Sequence, residues 1–170
     1  MKTLNKLSIL ALTSILVLSS CETTELDLTS NPNALSPEQA SADLFINSIQ
    51  VDFAYFVNSM GGVGSRLTRI NQLGGERLYR DAYSPNSFSG VWQTAYQSMS
   101  EDIRVMNGLA AESGLTYYIG MGQVMQAYTL LTLVDFFGDV PYSEALLGAE
   151  NLNPTLDSGQ SVYNAALALL

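Results

Sequence analysis

The chain is expected to be all-α. Three observations carry that expectation. Apolar residues recur at three- and four-residue steps through three long stretches, glycines and prolines cluster where those stretches stop, and no run alternates apolar and polar residues as a half-buried strand would.

The first 20 residues have the layout of a secretory signal. Lys2 and Lys6 form a basic start, and Leu7 to Leu18 is an apolar run of 12 residues, too short to span a bilayer as an ordinary helix. Leu18-Ser19-Ser20-Cys21 then matches a bacterial lipobox, with small residues for the peptidase and a thiol to receive the lipid. Cys21 is the only cysteine, so no disulfide forms within the chain and its expected role is lipidation. Residues 21–35 are polar and read as a lipidated, flexible tether. Removing residues 1–20 leaves five arginines against 16 acidic residues, a net charge of −11. Such a surface repels nucleic acid and gives no basic support to membrane binding, so the outer-membrane lipid would be held through Cys21 alone.

Ser36-Pro37-Glu38-Gln39 reads as a capped helix start. The helix is expected to run to about Met60 with Ile46, Ile49, Phe53, Phe56 and Met60 on one face, and to stop at Gly61-Gly62-Val63-Gly64. A shorter helix capped by Ser65 would bury Leu67, Ile70 and Leu73 and close at Gly74-Gly75. Residues 76–90 are the least regular. Trp92, Tyr96, Met99, Ile103 and Met106 then place a second long helix over 90–112, stopped by Gly114.

Thr116 is the expected cap of the most apolar helix, 116–137, in which Met121, Met125, Tyr128, Leu131 and Asp135 recur on a buried stripe widened by Val124, Ala127 and Val134. Gly120, Gly122 and Ala127 lack bulk, which invites a neighbouring helix. Gly138 suits a left-handed end, Pro141 cannot continue the helix, and Phe136 and Phe137 would pin its last turn. The two helices 90–112 and 116–137 form an αα-hairpin. A last helix starts near Asp157, with Gln160 completing a capping box and Val162, Ala166, Leu167 and Leu170 as its buried stripe. It reaches Leu170 without a cap, so residues 36–170 are expected to be the N-terminal part of a longer domain.

The run Thr132-Leu133-Val134-Asp135-Phe136-Phe137-Gly138-Asp139-Val140-Pro141-Tyr142-Ser143-Glu144-Ala145, followed by Asn153-Pro154-Thr155-Leu156-Asp157-Ser158 and Val162-Tyr163, resembles SusD/RagB-type nutrient-binding outer-membrane lipoproteins. The resemblance implies helical hairpins of a tetratricopeptide-like scaffold, incomplete at the C-terminus, although the 34-residue repeat consensus itself is not visible. It further implies a surface protein that captures a glycan or peptide and delivers it to a SusC-like TonB-dependent outer-membrane transporter. Acidic residues after Cys21 resemble the surface-export signal of Bacteroidetes-type lipoproteins, which implies an exterior-facing protein; a solvated linker is the alternative reading of the same residues.

With no histidine and one cysteine, zinc sites and histidine-based triads are excluded within this chain, and no metal or cofactor is expected. Gly120-Met121-Gly122 is half a dinucleotide fingerprint with no strand before it. Asp135, Asp139 and Glu144 could form a glycosidase acid pair, but an Asp in a Gly-Asp-x-Pro turn more often bonds backbone amides, so Gly138, Asp139 and Pro141 are read as a structural turn. A binding protein, not an enzyme, is therefore the leading expectation. A surface lipoprotein glycosidase and a non-catalytic helical adaptor are the alternatives. Sugar recognition needs an aromatic face and hydroxyl partners, and Arg77, Tyr79, Arg80, Asn86, Trp92 and Tyr96 gather those types in one region. Core packing is the competing role of Trp92.

Overall fold

Helix α1, Ala42–Leu67, faces the core with Ala42, Ile46, Ile49, Phe56 and Met60. It belongs to a computed structural model that describes residues 40–71 and 84–170. The signal segment, Cys21, the tether, the Ser36–Gln39 capping box, Leu73 to Gly75, and Arg77, Tyr79 and Arg80 lie outside the described residues. Where the sequence predicts a stop at Gly61-Gly62-Val63-Gly64, the helix runs on through all of it. Glycine in a helix costs about 1 kcal/mol against alanine. Packing offsets that here: Met60 is buried, and a Cβ at Gly64 would stand 3.3 Å from Phe136, so the bare backbone lets the two elements meet. Ser65 is consequently not a cap; it lies inside α1 and its hydroxyl donates to the Gly62 carbonyl at 3.1 Å. Ile70, expected inside a second helix, is 80% exposed.

The next rod is built from four segments in succession. A 3-10 turn at Pro85–Phe88 leads into α2, Ser89–Trp92, then a π-helical segment, Gln93–Ser100, then α3, Glu101–Glu112. The Ser100 hydroxyl donates to the Ala95 carbonyl five residues back, following the wider π turn. Met99, Ile103 and Met106 are buried as their spacing predicts. Gly114, at φ +69°, turns the chain.

Helix α4, Thr116–Phe137, completes the hairpin. Thr116 is its first helical residue and not its cap; Leu115 holds the cap position without a side-chain bond. The buried face is Tyr118, Gly122, Met125, Ala127, Thr129, Leu130 and Leu133. The apolar stripe expected inside is thus rotated, because α1 and α3 cover one side only: Tyr117, Met121, Val124 and Tyr128 are exposed. Gly122 is the close-approach point, since a Cβ there would meet Met106 Cε at 2.9 Å and Ile103 Cγ2 at 3.2 Å. The helix ends at Gly138, whose φ of +79° side chains rarely adopt and whose N–H reaches the Val134 carbonyl at 2.8 Å.

Helix α5, Gly159–Ala168, packs on α4 through the fully buried Val162 and Ala166. Its cap is Ser158, which accepts from the Ser161 N–H at 3.3 Å, rather than Asp157 with Gln160. Asp157 is held instead in a short antiparallel bridge with Val140. Leu167 and Leu170, expected on the buried stripe, face outward.

Two apolar clusters result. One joins Phe56, Met60, Phe88, Val91, Ala127, Leu130, Leu133, Val140 and Val162; the other joins Ile46, Ile49, Met99, Ile103, Met106, Tyr118 and Met125. At about 1.5–3 kcal/mol for each large apolar side chain fully buried, these clusters fix the helix positions and everything mounted on them. The fold is all-α, and the only strand-like pairing among the described residues is the Val140–Asp157 bridge.

Candidate functional site

The first turns of the second rod and the end of α4 bring four aromatics into contact. Trp92 and Tyr96, one helical turn apart, stack with ring centroids 5.7 Å apart at 17°. Trp92 also meets Phe137 at 4.8 Å, and Phe137 meets Phe88 edge-on at 5.2 Å and 88°. Phe88, Trp92 and Phe137, together with Leu67, Pro85 and Phe136, line an open groove of about 370 Å³. Phe88 is buried, so it anchors the groove, while Trp92 is half-buried and presents part of its ring. Packing and presentation are not exclusive for an indole of this size.

Tyr96 sits behind Trp92. Its hydroxyl donates to the Pro141 carbonyl at 2.6 Å, tying the π segment to the turn after α4. Burial, with the nearby Asp157 charge as a second cause, holds that phenol well above its ordinary pKa, so it stays a donor. Asn86 lies exposed in the 3-10 turn next to Pro85, its carbonyl accepting from the Ser89 hydroxyl at 3.0 Å. Of the residues singled out in the sequence, Trp92 therefore lines the groove, Asn86 adjoins it and Tyr96 backs it. Phe88 and Phe137 complete the wall. Phe137 is legible in the sequence only as a pin for the last helical turn.

The acidic residues of the following segment have occupied geometry. Asp139 Oδ1 accepts from the Gly159 N–H at 2.9 Å, at the first turn of α5. Asp157 Oδ2 accepts from the N–H groups of Tyr142 at 2.9 Å and Ser143 at 2.8 Å, and its Oδ1 takes the Ser143 hydroxyl at 2.8 Å. Glu144 Oε2 accepts from the Thr155 N–H at 3.0 Å, the Thr155 hydroxyl at 2.9 Å and the Asn151 amide at 3.2 Å. The Ser143 bonds to Asp157 and the Thr155 bonds to Glu144 hold both carboxyls below the usual range. Each acid thus clasps one strand of the loop to the other. Asp135 is exposed on α4. Among the described residues no cluster of three acidic, His or Cys side chains is placed to hold a metal ion.

A clasped Gly-Asp-Val-Pro turn thus closes a long apolar helix, with an aromatic groove beside it. A family model, SusD-like, described as "Starch-binding associating with outer membrane", matches residues 32–170. The chain belongs to the SusD-like family. A solved structure that this SusD-like chain resembles is a SusD/RagB family protein from Bacteroides thetaiotaomicron VPI-5482, at a TM-score of 0.62 and 22% identity. The match covers 76% of this chain and 29% of that one, so the sequence spans less than a third of that protein. No curated protein matches. The shared fold is the helical, tetratricopeptide-like scaffold of SusD/RagB proteins, here in its hairpin α2–α3/α4 with α1 and α5 packed on it. No helix among the described residues of this SusD-like chain is long and apolar enough to cross a membrane.

Proposed function

We propose that the chain is the binding part of a non-catalytic, nutrient-capturing lipoprotein of the outer membrane. In this reading Cys21 carries the lipid anchor and the protein faces the exterior. An oligosaccharide, or else a peptide, is captured reversibly and passed to a SusC-like TonB-dependent transporter.

The observation that supports this most directly is the half-buried Trp92, stacked on Tyr96 and opening onto the 370 Å³ groove. A preformed apolar wall with few polar groups around it suits the C–H face of a sugar ring. Asn86, with Arg77, Tyr79 and Arg80, would supply hydroxyl partners. Of the acids in the glycosidase alternative, Asp139 and Glu144 each commit one carboxyl oxygen to groups of the loop itself while Asp135 is exposed on α4, which favours a structural role for the first two. Isothermal titration of the full-length protein with starch-derived maltooligosaccharides tests the reading. Saturable binding that weakens at least about tenfold, or about 1.4 kcal/mol, in Trp92→Ala is the expected result. Binding indifferent to Trp92, or release of shorter sugars, contradicts it.

A further inference from the structure

On the other side of Tyr96 lies a second hollow, between the π segment with α3 on one wall and the loop after Pro141 on the other. Its volume is about 240 Å³, and its lining includes Tyr96, Ser100, Asn107, Gln126, Tyr142 and Leu146. It opens beside a shallower depression of about 500 Å³ that shares Tyr96, Arg104 and Leu146 and adds Gln97.

Three independent features distinguish this hollow from an incidental gap. The first is the π-helical segment Gln93–Ser100, which supplies Tyr96 and Ser100 to the lining. Such segments occur often at functional sites because the wider turn re-aims side chains. The second is Asn107. Its Oδ1 is buried with no hydrogen-bond partner, the only such side-chain atom among the described residues, and it lies about 3.2 Å from where a Cβ of Gly122 would be. Leaving an acceptor unpaired in this way costs stability, which leucine at the same place would not. The Asn107 side chain also lines the hollow, and a half-turn about its soft χ2 torsion would bring this oxygen to face it. The third is the shape of the far wall: Leu146 stands at φ +62°, a costly conformation for leucine, and is held there by the Asp157 and Glu144 clasps on either side of the loop.

We propose that this hollow is a binding site for one ring of a neutral, hydroxyl-rich ligand, separate from the Trp92 groove. The volume is below the roughly 300 Å³ lower bound of drug-sized sites, so it takes a single small ring. The polar lining is neutral, from Asn107, Gln126, Ser100 and the two tyrosines. Carboxamides carry a donor and an acceptor side by side, which complements hydroxyls that do the same. The one cation at the rim, Arg104, has its guanidinium on the Glu101 carboxylate, with Nε 2.9 Å from Oε2, and so offers no free charge to an anion. Leu130, Ile103 and Leu169 supply apolar surface for a C–H face.

The test is a titration of the full-length protein with glucose, read on the side-chain amide resonances of Asn107 and Gln126, in wild type, Asn107→Leu and Trp92→Ala. The site predicts saturable shifts of both amides in wild type, retained in Trp92→Ala. In Asn107→Leu the Gln126 shifts should require at least tenfold more glucose, with a thermal midpoint no lower than wild type. Gln126→Ala, which alters no packed helix contact with Gly122, should weaken the Asn107 shifts likewise. Amide resonances that stay fixed in wild type overturn the proposal, as does a Gln126 response unchanged in Asn107→Leu. Loss of the response in Trp92→Ala would also overturn it, since the two sites would then be one.

Discussion

Gly159 and Gly138 face each other across the start of α5. A Cβ on Gly159 would stand 2.9 Å from the Gly138 carbonyl oxygen and 3.2 Å from Val134 Cγ1. The same backbone N–H of Gly159 is taken by Asp139, so the end of α4 and the start of α5 are joined by contact and by hydrogen bond at one point. Gly159→Ala should therefore destabilise the fold by about 1–3 kcal/mol, because a backbone oxygen cannot yield as a side chain can. Gly122→Ala, whose nearest neighbour is the flexible Met106 methyl, should cost less. Denaturant midpoints of the two variants check the order, and equal midpoints would contradict it.

Tyr96→Phe keeps the stack on Trp92 and deletes one bond, that to the Pro141 carbonyl. A loss of about 1–3 kcal/mol is expected from the acceptor left without its donor. The measurement is equilibrium unfolding of the full-length protein; an unchanged midpoint would show that water replaces the phenol without cost.

Acid should loosen the loop before it unfolds the helices. Asp157 and Glu144 have carboxyl pKa values depressed in the folded state, so their contribution is complete above the unfolded values, near 4, and is lost as pH falls through the lower folded ones. Asp102 moves oppositely: burial raises its pKa, so its charge opposes folding at neutral pH and protonation relieves it. Amide exchange of Tyr142, Ser143 and Thr155 should accelerate below about pH 4, while that of the α4 core stays slow. Asp157→Asn should show the faster exchange of Tyr142 and Ser143 already at neutral pH. Protection of those amides independent of both pH and Asp157 would count against the clasp.

Cys21→Ala should abolish fatty-acid labelling and release the protein from membranes, because Cys21 is the sole thiol and follows Leu18-Ser19-Ser20. Undiminished palmitate incorporation in that variant would remove the lipid anchor from the account.

The helices were legible because their stripes and stops are local chemistry. Ile46, Ile49, Phe56 and Met60, and Met99, Ile103 and Met106, are buried as their spacing implies. What was not legible depends on partners distant in sequence. Gly61 to Gly64 read as a stop by propensity, yet Phe136, more than 70 residues on, makes Gly64 a contact. The α4 stripe is rotated from its expected position, with Met125 and Ala127 buried but Met121, Val124 and Tyr128 exposed, because a helix apolar nearly all round carries little directional signal. Asp157 reads locally as a helix start, whereas its acceptors are spent on Tyr142 and Ser143, 15 and 14 residues upstream. In the site, Trp92 and Asn86 could be chosen by residue type, but the approach of Phe137 and the unpaired Asn107 oxygen follow from helix packing that no local pattern encodes.

Trp92 is the only tryptophan in this 170-residue sequence, and an emission change that is lost in Trp92→Phe reports on the proposed binding face. Titrating the full-length protein with a maltooligosaccharide while following Trp92 emission tests the central claim of reversible capture without chemistry. The account predicts a saturable change in emission that reverses on dilution, with the sugar recovered at its original length. Emission unchanged through the titration, or sugar recovered as shorter fragments, would contradict it.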